Sequence, residues 1–266
     1  MRKSLLALGL MAATSAPVMA ADYSDGDIHK NDYKWMQFNL MAAIDELPGE
    51  SSHDYLEMEF GGRSGIFDLY GYVDVFNLLS NPSSDKDGAE KIFMKFAPRM
   101  SLDAATGKDL SFGAVQELYV STLMEWGGNS GGNSGVNTQK IGLGSDIMVP
   151  WLGKIGLNLY GTYDSNKKDW NGFQVSTNWF KPFYFFENGS FISYQGYIDY
   201  QFGMETGKGY ATSSSGGAMF NGIYWHSDRF AVGYGLKGYK DIYGIKDTDA
   251  FKSTGFGHYL AVTYKF

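Results

Sequence analysis

Carboxylates alternating with tyrosines are the first feature with chemical meaning. They recur at every second position in two runs, Tyr55, Glu57, Glu59 and then Asp68, Tyr70, Tyr72, Asp74. Lys95, Arg99 and Asp103 follow at intervals of four, and Glu117, Tyr119 and Asp146 extend the set. A period of two puts each run on one face of an extended strand. Phenol rings and carboxylates on such a face can stack against a flat ring and hydrogen-bond hydroxyls, weakly and at many points. The competing reading is that these charges pair with one another and brace a wall.

Signals for catalysis are thin. Gly233-Tyr234-Gly235-Leu236-Lys237-Gly238 has the spacing of a dinucleotide fingerprint, but it lies in a strand pattern with no helix after it. Gly127-Gly128-Asn129-Ser130-Gly131-Gly132 lacks the Gly-Lys-Ser/Thr ending of a phosphate-binding loop and reads as a flexible connection. His226-Ser227-Asp228 are consecutive, so they cannot form a hydrogen-bonded triad along an extended segment; a polar turn is the better reading. His29, His53, His226 and His258 show no ligand spacing and there is no cysteine, so neither a metal nor a cofactor is expected.

The elements that must carry these residues are strands. The 266 residues include 35 glycines and 17% aromatics, and only 19% are charged. Glycine and aromatics are poor helix formers, and aromatics favour strands, which excludes a helical bundle. A mean hydropathy of −0.26 excludes repeated apolar helices of membrane length. Six prolines and a net charge of −7 do not suggest disorder, and that charge with a pI near 5.1 argues against nucleic-acid binding. Arg2 and Lys3, the apolar run Leu5 to Ala13 and Pro17-Val18-Met19-Ala20 form the pattern of a secretory signal cleaved after residue 20. One domain, 21–266, would remain.

Alternation defines twelve strand centres at 35–43, 54–60, 66–77, 91–103, 110–124, 139–148, 153–163, 172–180, 190–202, 217–225, 229–240 and 256–266. Connections after odd strands are polar or Gly/Ser-rich, and several are long: Leu78–Glu90, Glu125–Thr138 and Gly203–Gly216. Those after even strands are shorter, as at Gly61–Gly65, Ala104–Lys108 and His226–Asp228. An even strand number with long loops at one end and tight turns at the other fits an all-β, closed, antiparallel transmembrane barrel of about twelve strands. Roughly 20 residues per strand unit suffices for a lipid-spanning strand plus its rims. The terminal run His258 to Phe266 alternates and ends on an aromatic, like the assembly strand of bacterial outer-membrane barrels. Backbone groups in hydrocarbon must be satisfied within the fold, so the apolar faces meet outer-membrane lipid and the polar faces line the lumen. Phe183-Tyr184-Phe185-Phe186 fits an aromatic girdle at a rim. A barrel hydrolase acting on lipids and a structural or adhesive barrel are the alternatives to a channel.

Several blocks resemble the nucleoside-specific channel family of outer-membrane porins typified by Tsx. They include Tyr55-Leu56-Glu57 with Glu59, Phe67-Asp68-Leu69-Tyr70-Gly71-Tyr72 with Asp74, and Phe93-Met94 leading to Pro98-Arg99-Met100-Ser101-Leu102-Asp103. Asp109-Leu110-Ser111-Phe112-Gly113, Gly142-Leu143-Gly144-Ser145-Asp146, Trp170-Asn171-Gly172 and Ser253-Thr254-Gly255-Phe256-Gly257 continue the match in order. The resemblance implies a monomeric twelve-stranded barrel in the bacterial outer membrane that is not an enzyme and passes nucleosides passively. It also implies that phage tail proteins dock at the extracellular loops. The loops Glu125–Thr138 and Gly203–Gly216 depart from the family, which leaves loop-borne selectivity and phage identity open.

Overall fold

The computed structural model describes residues 23, 25–128, 135–207 and 211–266. The expected signal segment 1–20 and the part of the glycine-serine run beyond Gly128 lie outside the described residues. The strands are β1 (Tyr33–Glu46), β2 (Ser51–Ser64), β3 (Phe67–Phe76), β4 (Ile92–Phe96), β5 (Arg99–Ser101), β6 (Val115–Gly127) and β7 (Val136–Val149). They continue with β8 (Gly153–Asp164), β9 (Asp169–Phe185), β10 (Phe191–Phe202), β11 (Ser215–His226), β12 (Phe230–Lys240) and β13 (Gly255–Lys265). Neighbouring strands pair antiparallel, β4 and β5 each with β3 and β6 rather than with each other, and β1 closes the wall on β13 with Leu40 opposite Val262. Both β4 and β5 lie between β3 and β6, so the thirteen segments make a closed barrel of twelve wall positions.

The split fourth position is the main departure from the expected strand at 91–103. Pro98 has no N–H to give the ladder, and the pairing lapses there. Its carbonyl instead accepts from the Thr122 N–H at 3.0 Å and the Thr122 hydroxyl at 2.9 Å. The strand then ends at Ser101, whose hydroxyl caps a short helix α1 (Leu102–Thr106) by accepting from the Ala104 N–H at 3.0 Å. Gly107 closes α1 in the left-handed conformation, φ 64°. Asp103, expected on a strand and facing the lumen, therefore belongs to α1. Its carboxylate accepts from the N–H groups of Leu110, at 2.9 Å, and Leu118, at 3.1 Å, pinning the α1 segment to the start of β6. For the same reason the fifth strand begins at Val115 rather than near residue 110.

Face assignment follows the period of two. Leu40, Ile141, Leu143, Leu159, Ile223, Val232, Leu260 and Val262 are exposed on the outer wall, as hydrocarbon contact requires. Met58, Phe60, Leu69, Val73 and Tyr264 occupy the same alternate positions, while Glu57, Glu59, Tyr70 and Tyr72 point inward. A slip of one residue would exchange these sets, so the hydrophobic pattern sets the register. Phe183, Tyr184, Phe185 and Phe186 are exposed at one rim. That rim also carries the tight turn at Ser227, which accepts from and donates to Phe230. The opposite rim carries the long connections 77–91, 203–214 and 241–254. The length asymmetry has exceptions: the connections at 47–50 and 165–168 are short on the long-loop rim, and α1 lengthens one connection on the other.

Candidate solute path through the barrel

Half of the lumen is packed shut. Near the tight-turn rim the Arg63 guanidinium forms a buried ion pair with Glu117, one of its hydrogen bonds measuring 3.0 Å. The Glu117 carboxylate also accepts from the Ser101 and Tyr119 hydroxyls at 2.5 and 2.7 Å. Tyr23, in the segment before β1, reaches the same carboxylate at 3.2 Å, and burial pushes its phenol pKa up to about 12. Arg99 pairs with Asp68 at 2.9 Å and Asp146 at 3.0 Å, with its guanidinium 4.0 Å from the centre of the Tyr119 ring. Lys154 adds a third contact to Asp146 at 3.1 Å. Further along, Lys140 pairs with Glu125, and Lys140, Gln174 and Tyr119 are fully buried. Charges so enclosed are tolerated because each meets an opposite charge or hydrogen-bond partner. Side chains from β6 to β9 thus fill their side of the barrel.

One ion pair marks where the packed half ends. The Lys95 ammonium on β4 contacts Asp199 on β10 at 2.9 Å and Glu125 on β6 at 3.6 Å. Asp199 is held in place by the Ser176 hydroxyl at 2.5 Å. In wall order, β4 and β10 are five positions apart in a closed ring of twelve, so this contact crosses the lumen.

A second set of inward side chains lies on β1–β3 and β10–β13. Its acidic side is made by Glu57, Glu59 and Asp74. Glu57 lies directly opposite Asp74 in the β2–β3 register and accepts from the Asn39 amide at 2.6 Å. Glu59 accepts from Gln37 at 2.6 Å and from the Tyr70 phenol at 2.8 Å. Tyr70 and Tyr72 stand edge to face with centroids 6.3 Å apart. On the facing wall, Tyr197 and Phe220 stack across the β10–β11 pair at 5.8 Å and 11°. Phe220 and Tyr224 lie flat because the neighbouring strand offers Gly235 and Gly233: a Cβ there would come within 2.2 Å of either ring. Those glycines, which mimic a dinucleotide fingerprint in sequence, thin the wall beside two aromatic rings. Above them, Lys237 places its ammonium 5.9, 5.1 and 5.5 Å from the rings of Tyr197, Tyr239 and Tyr259.

The expected site residues therefore divide. Glu57, Glu59, Tyr70, Tyr72 and Asp74 lie together on the inner face of β2 and β3. Tyr55 lies beside them in a buried cluster with Met41, Tyr224 and Tyr259. Asp68, Arg99, Glu117 and Tyr119 are locked in the packed network, Arg99 between Asp68 and Asp146, and Asp103 is buried in α1 with its carboxylate on the Leu110 and Leu118 N–H groups. Residues overlooked in the sequence are Tyr197, Phe220 and Lys237. Lys237 had a readable signal, a cation at an inward position in the middle of a glycine-aromatic strand. Partnerships across the barrel have none.

Comparison with known proteins bears on this barrel directly. Residues 30–266 match the family model described as "Nucleoside-specific channel-forming protein, Tsx". The chain is 83% identical over 269 residues to the Outer membrane protein OmpK of Vibrio parahaemolyticus, with both chains fully covered. It is 29% identical over 291 residues to the Nucleoside-specific channel-forming protein Tsx of Salmonella typhimurium, again with full coverage of both. Among solved structures it is similar to the KdgM porin, at 12% identity and a TM-score of 0.47, covering 86% of this chain and 99% of that one. The match takes in every strand and both closing partners, β1 and β13, and the chain belongs to the outer-membrane family of nucleoside-specific channel-forming proteins.

Proposed function

We propose that this barrel is a passive outer-membrane channel for nucleosides and similar small solutes. The observation that carries the reading is the set of inward polar and aromatic side chains beside the Lys95–Asp199 bridge. Tyr70 and Tyr72 offer flat faces beside Glu57, Glu59 and Asp74, which offer acceptors for ribose hydroxyls, and Tyr197 offers another flat face from the facing wall. Conduction needs such contacts to be repeated and individually weak, and a row of them along a wall supplies that. The path residues within this reading are Tyr55, Glu57, Glu59, Tyr70, Tyr72 and Asp74. The Salmonella typhimurium and Vibrio parahaemolyticus relatives support both the solute class and the membrane. A single chain closes the wall and wraps it in an apolar band, which supports a monomeric channel. Phage tail proteins would meet the long-loop rim, where Leu79 is 86% exposed.

Single-channel recording in planar bilayers tests the reading. Added nucleosides should interrupt the ionic current in a concentration-dependent way, and simple sugars should do so less. An ionic current indifferent to every nucleoside would refute it. Release of fatty acid from lipid by the purified protein would instead favour a hydrolase, and absence of conductance a structural barrel.

A further inference from the structure

The connection between β12 and β13 turns inward. Ile242–Gly244 form a single 3-10 turn flanked by the strand ends Lys240 and Gly255. Ile242 is buried against Tyr239 and Ala218, both on the inner face of the wall, and against Leu47 from the neighbouring loop. The Gly244 carbonyl accepts from the N–H groups of Thr212 and Ser213, both at 2.8 Å, tying the turn to the β10–β11 connection. Asp241 accepts from the Ser213 hydroxyl at 3.0 Å and from the Asp247 N–H at 3.1 Å. Asp247 in turn accepts from the Ser253 and Thr254 N–H groups at 2.7 and 2.9 Å. The turn is thus fastened on three sides.

Fastened there, it holds a bulky residue in a costly conformation. Tyr243 has φ 59° and ψ 23°, in the left-handed region that glycine and asparagine favour and aromatic residues avoid. Despite its anchored backbone the side chain is 60% exposed. Its neighbour Ile242 is buried on the inner face of the wall, against Tyr239 and Ala218, so the turn that carries Tyr243 stands at the mouth of the lumen. Below it, the Lys237 ammonium is ringed by Tyr197, Tyr239 and Tyr259, and its carboxylate neighbour Glu46 is 3.9 Å away.

We propose that this turn is a constriction loop which holds Tyr243 across the outer mouth of the lumen, where its ring is the first stacking surface an entering planar solute meets. The Lys237 ammonium beneath it offers donors to acceptor atoms on the solute. The solute class rests on the nucleoside reading given above; the constriction does not. Strain persists at a position that the surrounding contacts over-determine, and here those contacts serve to place one ring.

The test uses the full chain refolded into bilayers, with heat-modifiable gel migration to check that each barrel is folded. Tyr243→Asn removes the ring with a residue that suits the left-handed backbone, Tyr243→Ala removes it without that match, and Tyr243→Phe keeps it. In potassium chloride alone, the Asn and Ala variants should conduct about 1.5-fold more than the parent, with Phe unchanged. The concentration of adenosine that halves the current should rise about tenfold for Asn and Ala and stay within about twofold for Phe. Parental conductance in a folded Asn variant would overturn the constriction. Unchanged adenosine block alongside raised conductance would overturn the stacking role. A parent channel that adenosine does not block would refute the nucleoside reading, while the salt-only comparison still decides whether Tyr243 narrows the mouth.

Discussion

Lys95 and Asp199 are 104 residues apart in the chain and on nearly opposite walls, yet their charged ends meet at 2.9 Å. The contact turns a ring of strands into two unequal compartments. On one side, Glu125, Lys140, Gln174 and Tyr160 fill the space with partnered side chains. On the other lie the tyrosines and carboxylates of β2 and β3. The bridge is also electrostatic: one cation faces Asp199 and Glu125, so it sets the charge balance where the two walls meet.

Removing that cation should change selectivity. Lys95→Met leaves Asp199 and Glu125 with less compensation, so the reversal potential in a potassium chloride gradient should move toward stronger cation preference, with higher conductance. Asp199→Asn should move it the opposite way. The lost charged hydrogen bond should also lower stability by about 1.5–3 kcal/mol, read by urea unfolding in vesicles. An unchanged reversal potential in both variants would show that ions do not pass this bridge.

Replacing Tyr70 and Tyr72 together with Ala should weaken nucleoside block while small-ion conductance persists or rises. Each stacked ring is worth on the order of 1–3 kcal/mol, so the half-blocking concentration should increase about tenfold or more. Block that survives unchanged in a folded barrel would make these rings wall rather than path.

Deleting Phe266 should impair assembly more than it affects a finished barrel. The Phe266 N–H donates to the Met36 carbonyl at 3.2 Å, and its ring packs on Phe38 and Tyr264 at 5.6 and 5.0 Å. It thereby fastens the last strand to the first at the closing seam. Pulse-labelled cells should show reduced outer-membrane insertion of the deletion; parental levels would contradict the prediction.

Acid should loosen the turn that carries Tyr243. Hydrogen bonds from the Ser253 and Thr254 N–H groups hold the Asp247 carboxyl pKa below the usual carboxylate range. A carboxyl with a depressed folded pKa stabilises above its unfolded value, about 3.9, and that contribution disappears as pH falls through the folded pKa. Amide hydrogen exchange at Ser253 and Thr254, corrected for its intrinsic pH dependence, should therefore lose protection below about pH 4, and Asp247→Asn should show weakened protection already at neutral pH. Equal protection in both proteins at neutral pH would show that Asp247 does not hold the turn.

The sequence by itself determined the wall. Strict alternation in runs such as Tyr55–Phe60 and His258–Phe266 specifies strands, their inward and outward faces and hence a lipid-facing barrel, because a period of two is a local property that each residue expresses alone. The acidic-tyrosine strip of Glu57, Glu59, Tyr70, Tyr72 and Asp74 was legible for the same reason. Local rules also account for the departures from the expected strands: Pro98 interrupts the ladder, and the Ser101 cap with Gly107 starts and ends α1, which takes Asp103 out of the strand. What only the tertiary structure decided is which inward residues meet. Arg99 and Glu57 both face inward, yet one is clamped between Asp68 and Asp146 and the other meets no cation among the described residues, only the Asn39 amide and Asp74 opposite it. Lys95 finds Asp199, and Tyr243 finds the lumen, through closure of the ring and inward folding of a loop. Such pairings depend on barrel curvature and on positions distant in the chain, and no periodicity along the sequence encodes them.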